Sequence, residues 1–385
     1  MTVQGQVQQF TTQGWPWRSG NEFEFLADGA QFFARMLQVI GTARAYVLLE
    51  LYLVNSGTIA TRFVETLLRA RARGVQVCAV FDGFGALGLK RADRVTLLAA
   101  GVELRFFNPL RLRNRLLNFR RDHRKLLLVD GRVAFVGGAG LSDEFAGGVA
   151  GEPPWREIMV QISGPVVADW QRAFADTWRR CGEPLALDPP ALAVAYPDGA
   201  DGRLALSEAR QRSLLANDVL RRFDAATERA WVMSAYFVPS RRFRKALRRA
   251  ARRGVDVRLL VPGPHTDHPW VRQAARRFYG KLLRNGVRIF EYQPRMLHAK
   301  MILCDAWVSI GSSNLDRWSF RWNLEANQEI ADRRASDAAA ALFVADFAAS
   351  QQLSRRYWRE RAWLDRLREH IAGTLDRWLD SWREP

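Results

Sequence analysis

The sequence predicts an α/β fold built from two repeats, each a mixed sheet flanked by helices, related by a pseudo-two-fold axis. Three observations predict it. Apolar strand-like runs alternate with amphipathic helical stretches, the signature of layered α/β architecture. Four landmarks recur in the same order in both halves of the 385 residues. A proline-bearing stretch, Glu183 to Gly202, with Pro184, Pro189, Pro190 and Pro197, separates the two sets.

In chain order, Asp28 to Ile40 reads as the opening helix of the first half. The string A-Y-V-L-L-E-L-Y-L-V from Ala45 reads as a buried strand, followed by a helix with Phe63, Val64, Leu67 and Leu68 on one face. That helix ends at Gly74, where a left-handed residue suits a helix C-terminus. In the second half Asn217 to Ala226 opens, A-W-V-M-S-A-Y-F-V-P from Ala230 is the strand, and Gly254 ends the helix. G-V-E-L-R-F-F-N-P (Gly101 to Pro109) is mirrored by G-V-R-I-F-E-Y-Q-P (Gly286 to Pro294). The expected organisation is a first domain over 1–190, a linker over 191–203, and a second domain over 204–385 that closes with a C-terminal amphipathic helix.

Composition narrows the function. A formal charge of +18 calls for an anionic partner: nucleic acid, a phospholipid surface or a phosphorylated substrate. Fourteen tryptophans suit a lipid interface better than a nucleic-acid groove. No run of about 18 apolar residues is free of charge, so no transmembrane helix is expected, and the polar N-terminus does not read as a secretory signal. Three scattered cysteines, Cys78, Cys181 and Cys304, fit reduced thiols and give no zinc spacing. The expected location is peripheral, on the cytoplasmic face of the cell membrane.

Each half carries one further pattern. H-R-K-L-L-L-V-D gives His123, Lys125 and Asp130, and H-A-K-M-I-L-C-D gives His298, Lys300 and Asp305. The apolar run after each Lys reads as a buried strand, so His123 and Lys125 share one face and Arg124 takes the other. Two such strands meeting at a domain interface would bring two imidazoles and two ammonium groups around one pocket. That set suits a phosphodiester. One histidine attacks phosphorus and the other protonates the leaving oxygen. The lysines neutralise the phosphoryl oxygens, so neither metal nor cofactor is expected.

These residues resemble the signature of the phospholipase D superfamily, and the likeness covers most of the chain. F-F-N-P-L-R, R-R-D-H-R-K-L-L-L-V-D and G-S-S-N-L-D are similar to the bacterial cardiolipin synthase type, in the variety without N-terminal transmembrane helices. The resemblance implies two phospholipase D-like domains sharing one site, with Ser312 and Asn314 lining the phosphate site. It implies that Glu325 hydrogen-bonds His298, and that Glu157 is the acidic partner of His123. Asp130 and Asp305 belong to the motif set and brace the local fold. Gly140 stands where the family often has Asn, and the Asp305 to Gly311 turn is one residue shorter than the Asp130 to Gly137 turn.

The implied activity is phosphatidyl transfer between phospholipids to make cardiolipin through a phosphohistidine, with His123 as nucleophile, His298 as acid–base, and phosphatidylglycerol among the substrates. A nuclease or a phospholipid-hydrolysing phosphodiesterase of the same superfamily, or a silent membrane-binding module, are the rival readings. His265 and His268 read as a metal pair or as part of the pocket mouth. The C-terminal face of Leu364, Leu367, Ile371, Leu375, Trp378 and Trp382 reads as packed on the second domain or laid on membrane. The first half also takes ten more residues than the second to reach its histidine. There Arg111, Arg113, Arg115, Arg120 and Arg121 alternate with Leu110, Leu112, Leu116, Leu117 and Phe119, as in a lipid-facing lip or an ordinary loop.

Overall fold

The computed structural model describes residues 14–110, 117–149, 151–187, 193–207, 214–316 and 322–361. The C-terminal amphipathic stretch and residues 111–116 of the arginine–leucine insertion lie outside them. The first half runs β1 (Arg18–Ala27), α1 (Asp28–Gly41), β2 (Tyr46–Leu51), α2 (Thr58–Ala72), β3 (Gln76–Asp82), α3 (Arg91–Ala99), β4 (Glu103–Phe107), β5 (Lys125–Val129), β6 (Val133–Gly137), β7 (Ile158–Ser163) and α4 (Val167–Arg180). The second runs β8 (Ala200–Ser207), α5 (Leu214–Ala225), β9 (Arg229–Met233), α6 (Arg241–Arg252), β10 (Asp256–Pro262), α7 (Pro269–Arg276), α8 (Tyr279–Arg284) and β11 (Arg288–Tyr292). It continues through β12 (Met301–Cys304), β13 (Trp307–Gly311), β14 (Glu325–Ala331), α9 (Arg333–Ala348), β15 (Ser350–Leu353) and α10 (Arg355–Glu360).

The fifteen strands among the described residues form one sheet, ordered β15-β11-β10-β9-β12-β13-β14-β8-β1-β7-β6-β5-β2-β3-β4. The order reads the same from either edge toward the centre, apart from the extra β15. The pseudo-two-fold therefore passes between β1 and β8, which pair antiparallel at Arg18↔Gly202 and Asn21↔Ala200. Strands β2, β3 and β4 are parallel, as are β9, β10 and β11. The linker expected over 191–203 is shorter than the proline pattern suggested, because residues 200–203 already belong to β8 and join the sheet.

Strand composition follows from burial on both faces. Every residue of β2 is buried, and so is every residue of β5, so these strands read as continuous apolar runs. On one face, Trp170, Phe174 and Trp178 of α4 and Phe343 and Phe347 of α9 join a single core that crosses the midline. Trp170 Nε1 donates to Gln328 Oε1 at 2.8 Å across that midline, satisfying both groups in the shared core. On the other face each half has its own core, under α1 and α2 in the first and under α5, α6 and α8 in the second.

Gly74 and Gly254 have φ of +88° and +93°, the left-handed conformation expected at these helix ends. The repeat register differs from the string match by two residues. Asp130 accepts from the amides of Arg44, Ala45 and Tyr46, and Asp305 from those of Thr227, Glu228 and Arg229. Ala45 therefore corresponds to Glu228 rather than Ala230. A slip of two preserves the strand face, so either register buries the same side of the strand.

Candidate active site

Lys125 opens β5, and Lys300 directly precedes β12; each follows its histidine by two residues at the inner end of the strand. The strands enter the sheet antiparallel to β2 and β9, next to the ends at which those parallel strands finish. Arg124 turns to the opposite face, where it meets Thr177 Oγ1 at 3.0 Å and Glu50 at 3.6 Å, as strand alternation requires. The motif aspartates sit at the far ends of the hairpins. Asp130 and Asp305 are left-handed, with φ of 53° and 50°, and each carboxylate collects three backbone N–H groups. A short polar side chain tolerates that conformation and can reach the neighbouring strand's amides. Neither aspartate lines the cavity that holds the histidines. The connections differ as expected, three residues after β5 and two after β12.

The two halves interlock at the histidines. His123 N–H donates to Leu324 O at 2.9 Å, and Leu324 N–H to Arg121 O at 2.9 Å. His298 N–H donates to Arg156 O at 2.8 Å, and Arg156 N–H to Met296 O at 2.7 Å. These short parallel bridges lay each histidine segment against the residues that precede the other half's glutamate. The consequence corrects the expected pairing. His123 Nδ1 lies 3.0 Å from Glu325 Oε2, and His298 Nδ1 lies 2.6 Å from Glu157 Oε2. Each imidazole is oriented by a carboxylate from the opposite half. Reading along the chain paired each histidine with the wrong glutamate, because the exchange is made at the interface and has no local signature.

Both glutamates are fully buried. Glu325 also receives Ser312 Oγ at 2.5 Å and Asn323 Nδ2 at 3.2 Å. Ser312, expected at the phosphate, is therefore turned onto the carboxylate behind His123 and does not line the cavity; Asn314 does. The first half offers Gly138 and Gly140 at these positions. A Cβ at 140 would lie 2.6 Å from Leu53 Cβ and 2.7 Å from Leu53 O, so no asparagine fits there.

The cavity is about 410 Å³ and is lined by His123, Lys125 and His298 with Tyr52, Tyr236, Trp155, Phe145, Asn323, Asp267 and His268. Of His265 and His268, His268 reaches the mouth, and the described residues contain no cluster of three or more metal-binding side chains. Lys125 Nζ donates to His123 O at 2.6 Å and lies 5.1 Å from the Tyr52 ring centroid. Lys300 differs from expectation. It lies beneath His298, 2.8 and 3.1 Å from the two ring nitrogens, and does not line the cavity. A larger cleft of about 600 Å³ over the β1–β8 seam is lined by Glu22, Glu24, Asp198 and Asp332 against one arginine, Arg334, which would repel a phosphodiester.

Burial dominates the electrostatics. It pushes Lys125 down to about 7 and Lys300 down to about 8. It lowers His123, an effect that Glu325 opposes and Lys125 reinforces. His298 is lowered well below the ordinary histidine value, by burial first and then by Lys300 and Lys125. Burial also raises Glu157. Both imidazoles are thus held neutral at rest, with Nδ1 engaged by carboxylate.

Around His298 stand Trp155, stacked at 5.2 Å, Phe145, edge-on at 5.2 Å, and Tyr236, edge-on at 6.4 Å. His123 has Tyr52 edge-on at 4.8 Å. The sequence reading missed these aromatics as site residues. Tyr52 and Tyr236 were visible in the repeated strand strings, just beyond the buried run, and that position was the available signal. Phe119, from the arginine–leucine insertion, lies 6.2 Å from Trp322.

The family described as cardiolipin synthase, PLD-like domain, matches residues 36–178 and 219–347, one stretch in each half. A cardiolipin synthase A of Pseudomonas putida is 36% identical over 365 residues, covering 94% of this chain and 75% of the relative. That of Pseudomonas putida strain W619 is 37% identical over 344 residues, covering 88% and 71%. A solved structure of phosphatidylserine synthase from Haemophilus influenzae Rd KW20 shares the fold, with a TM-score of 0.73 at 14% identity over 99% of this chain and 97% of that one. Among the described residues no helix is long and apolar enough to cross a membrane. With both halves matched and the relatives aligned over nearly the whole chain, this protein belongs to the cardiolipin synthase family of phospholipase D-like proteins.

Proposed function

We propose that this protein is a phosphatidyltransferase that makes cardiolipin by ping-pong transfer at His123 and His298. The observation that carries the reading is the pair of imidazoles facing one cavity, each with Nδ1 on a buried carboxylate from the other half. A carboxylate on Nδ1 fixes the tautomer that leaves Nε2 free to attack or to carry a proton. His123 Nε2 attacks the phosphorus of phosphatidylglycerol, the P–O bond to the headgroup breaks, and the departing glycerol oxygen takes a proton through His298, which receives one in turn from the Lys300 ammonium 3.1 Å from its Nε2. A phosphatidyl-His123 remains. A hydroxyl of a second phosphatidylglycerol then loses its proton to His298 and attacks phosphorus, the P–N bond breaks, and cardiolipin leaves. Phosphatidylethanolamine is the other candidate donor. Lys125 neutralises the phosphoryl oxygens.

Local chemistry supports this order. Glu325 is anchored by Ser312 and Asn323, which suits a nucleophile of fixed tautomer. His298 sits against Lys300, which exchanges its proton near neutrality, and this suits a residue that gives and takes protons.

Exposed apolar side chains support a peripheral position on an anionic membrane. Phe84 and Leu87 lie on a loop whose Gly85 and Gly88 carbonyls accept from Val54 and Ser56, beside the cavity wall. Trp270, 67% exposed, follows His268 at the opposite side of the mouth. For the cytoplasmic face the support is the three free cysteines.

The test is product identification. Purified protein is incubated in chelator with labelled phosphatidylglycerol vesicles, and separately with single-stranded DNA. Labelled cardiolipin with intact DNA is expected. Cleaved DNA without lipid product overturns the reading in favour of a nuclease, and phosphatidic acid alone in favour of a hydrolase.

A further inference from the structure

The mouth of the cavity breaks the pseudo-symmetry of the fold. On the second-half side, Tyr236 follows β9, and Asp267 and His268 fill the connection from β10 to α7; all three line the cavity. Counting from the paired strands, Tyr236 corresponds to Leu53. The connection after β3, Gly83 to Leu89, contains no ionisable side chain. The first-half side has Tyr52, Asn55 and Glu144 from other segments, so what sets the second-half side apart is a carboxylate and an imidazole on the connection that follows the parallel strand, next to a phenol at the Leu53 position.

That wall is built. Tyr236 Oη donates to Asp267 Oδ2 at 2.5 Å. His268 Nε2 lies 3.6 Å from the same oxygen, with its ring 5.5 Å from that of Tyr236. Asn314 Oδ1 accepts from Tyr236 N at 3.2 Å and fixes the backbone of the phenol. The Tyr236 ring in turn stands edge-on to His298. Among the described residues Asp267 Oδ1 takes no protein hydrogen bond, and the carboxylate side chain is 22% exposed. It is thus an acceptor held in place and still open, on the His298 side of the cavity.

We infer that Asp267 is the specificity-determining residue for the acceptor alcohol, and that it recognises a polyol through the hydroxyl adjacent to the one that reacts. Tyr236 acts as its positioning residue. The inference rests on the reading of His298 as the acid–base group, since the leaving and entering alcohols then share that side of phosphorus. A vicinal diol presents one hydroxyl to His298 and donates the other to Asp267. Water and simple alcohols offer only the first contact. The phosphatidyl-histidine would accordingly be discharged to a glycerol headgroup in preference to water, which is what separates a transferase from a lipase at this site.

The experiment uses the full chain with soluble dihexanoyl-phosphatidylglycerol as donor and deuterated glycerol, propan-1-ol or ethanolamine as competing acceptors, with products resolved by mass spectrometry. Wild type is expected to favour glycerol over propan-1-ol. In Asp267→Asn that preference and the ratio of transfer to hydrolysis should fall on the order of tenfold, the worth of one hydrogen bond to a charged group. Tyr236→Phe should give a smaller fall, with the thermal transitions of both variants near wild type. Glycerol, propan-1-ol and water all rely on the same base, so a change in His298 basicity lowers all three rates and leaves the ratios unchanged. Unchanged ratios in Asp267→Asn overturn the inference. So does a loss confined to ethanolamine, which would mark a cation site. A phosphatidyl group found on His298 in quenched wild type would refute the acid–base reading instead, and it is scored separately from the ratios.

Discussion

The two histidines occupy equivalent positions in equivalent halves, yet their surroundings differ. His123 is backed by Glu325, which Ser312 and Asn323 hold in place. His298 is backed by Glu157, whose hydrogen bonds among the described residues come from Ile158 N–H at 2.9 Å and the imidazole itself. Part of the difference traces to one position. Ser312 corresponds to Gly138, where a Cβ would lie only 2.3 Å from Glu157 Oε2. With no hydroxyl to anchor it, Glu157 is left to burial, which raises it, and Lys300 fills the space beneath His298. The comparison teaches how a duplicated motif divides its labour. The covalent skeleton stays symmetric, and single substitutions behind each ring set what the ring does.

Breaking the crossed pairs should give the largest effects, short of removing a histidine. Glu325→Gln and Glu157→Gln should each lower kcat/KM by roughly 10- to 100-fold, the loss of a charge-assisted hydrogen bond. Imidazole NMR sharpens this. Glu325→Gln should shift the ring nitrogens of His123 and leave those of His298 in place, and Glu157→Gln should do the reverse. Same-half responses would restore the pairing read along the chain.

That pairing marks the limit of what the sequence could disclose. The repeats, the α/β layers, the His–Lys spacing and the bracing role of Asp130 and Asp305 were legible, because strand periodicity and turn chemistry are local. The crossing of Glu157 and Glu325 was not, because it depends on bridges between Asp122 and Leu324 and between Arg156 and Leu297, set only when the halves meet. Lys300 and Ser312 were placed by type and spacing on the correct strands, but alternation cannot tell a side chain that lines a cavity from one that supports a ring. The β8 start was hidden by Pro197, two residues before Gly199, since proline density says where a loop is and not where it ends.

The acid–base comparison gives the next effect. The free enzyme should lose kcat/KM as pH rises through about 7 to 8, where Lys125 and Lys300 shed their protons. The acid limb should fall below the ordinary histidine value, because both imidazoles are lowered and must be protonated to lose the nucleophile. Bound phosphate should hold the Lys125 proton, so the alkaline limb of kcat should lie at higher pH than that of kcat/KM. Coincident limbs in the two profiles would contradict this.

The smallest effect is expected behind His123. Ser312→Ala removes one anchor of Glu325 and should lower kcat about 2- to 10-fold, the range of a single ordinary hydrogen bond. KM for the donor should barely change, since Ser312 does not reach the cavity. A rise in KM with kcat intact would return Ser312 to the phosphate.

The central claim is that two unlike histidines serve one phosphodiester, with His123 as the atom that is phosphatidylated. Mass spectrometry of peptides from His298→Asn, quenched in denaturant and kept at mildly alkaline pH after brief exposure to phosphatidylglycerol, tests it most directly. The account expects a phosphatidyl group on the peptide carrying His123, because the first transfer can still occur slowly and the variant lacks the base that would discharge it. An adduct on His298 in similarly quenched wild type, with none on His123 in either protein, would contradict it.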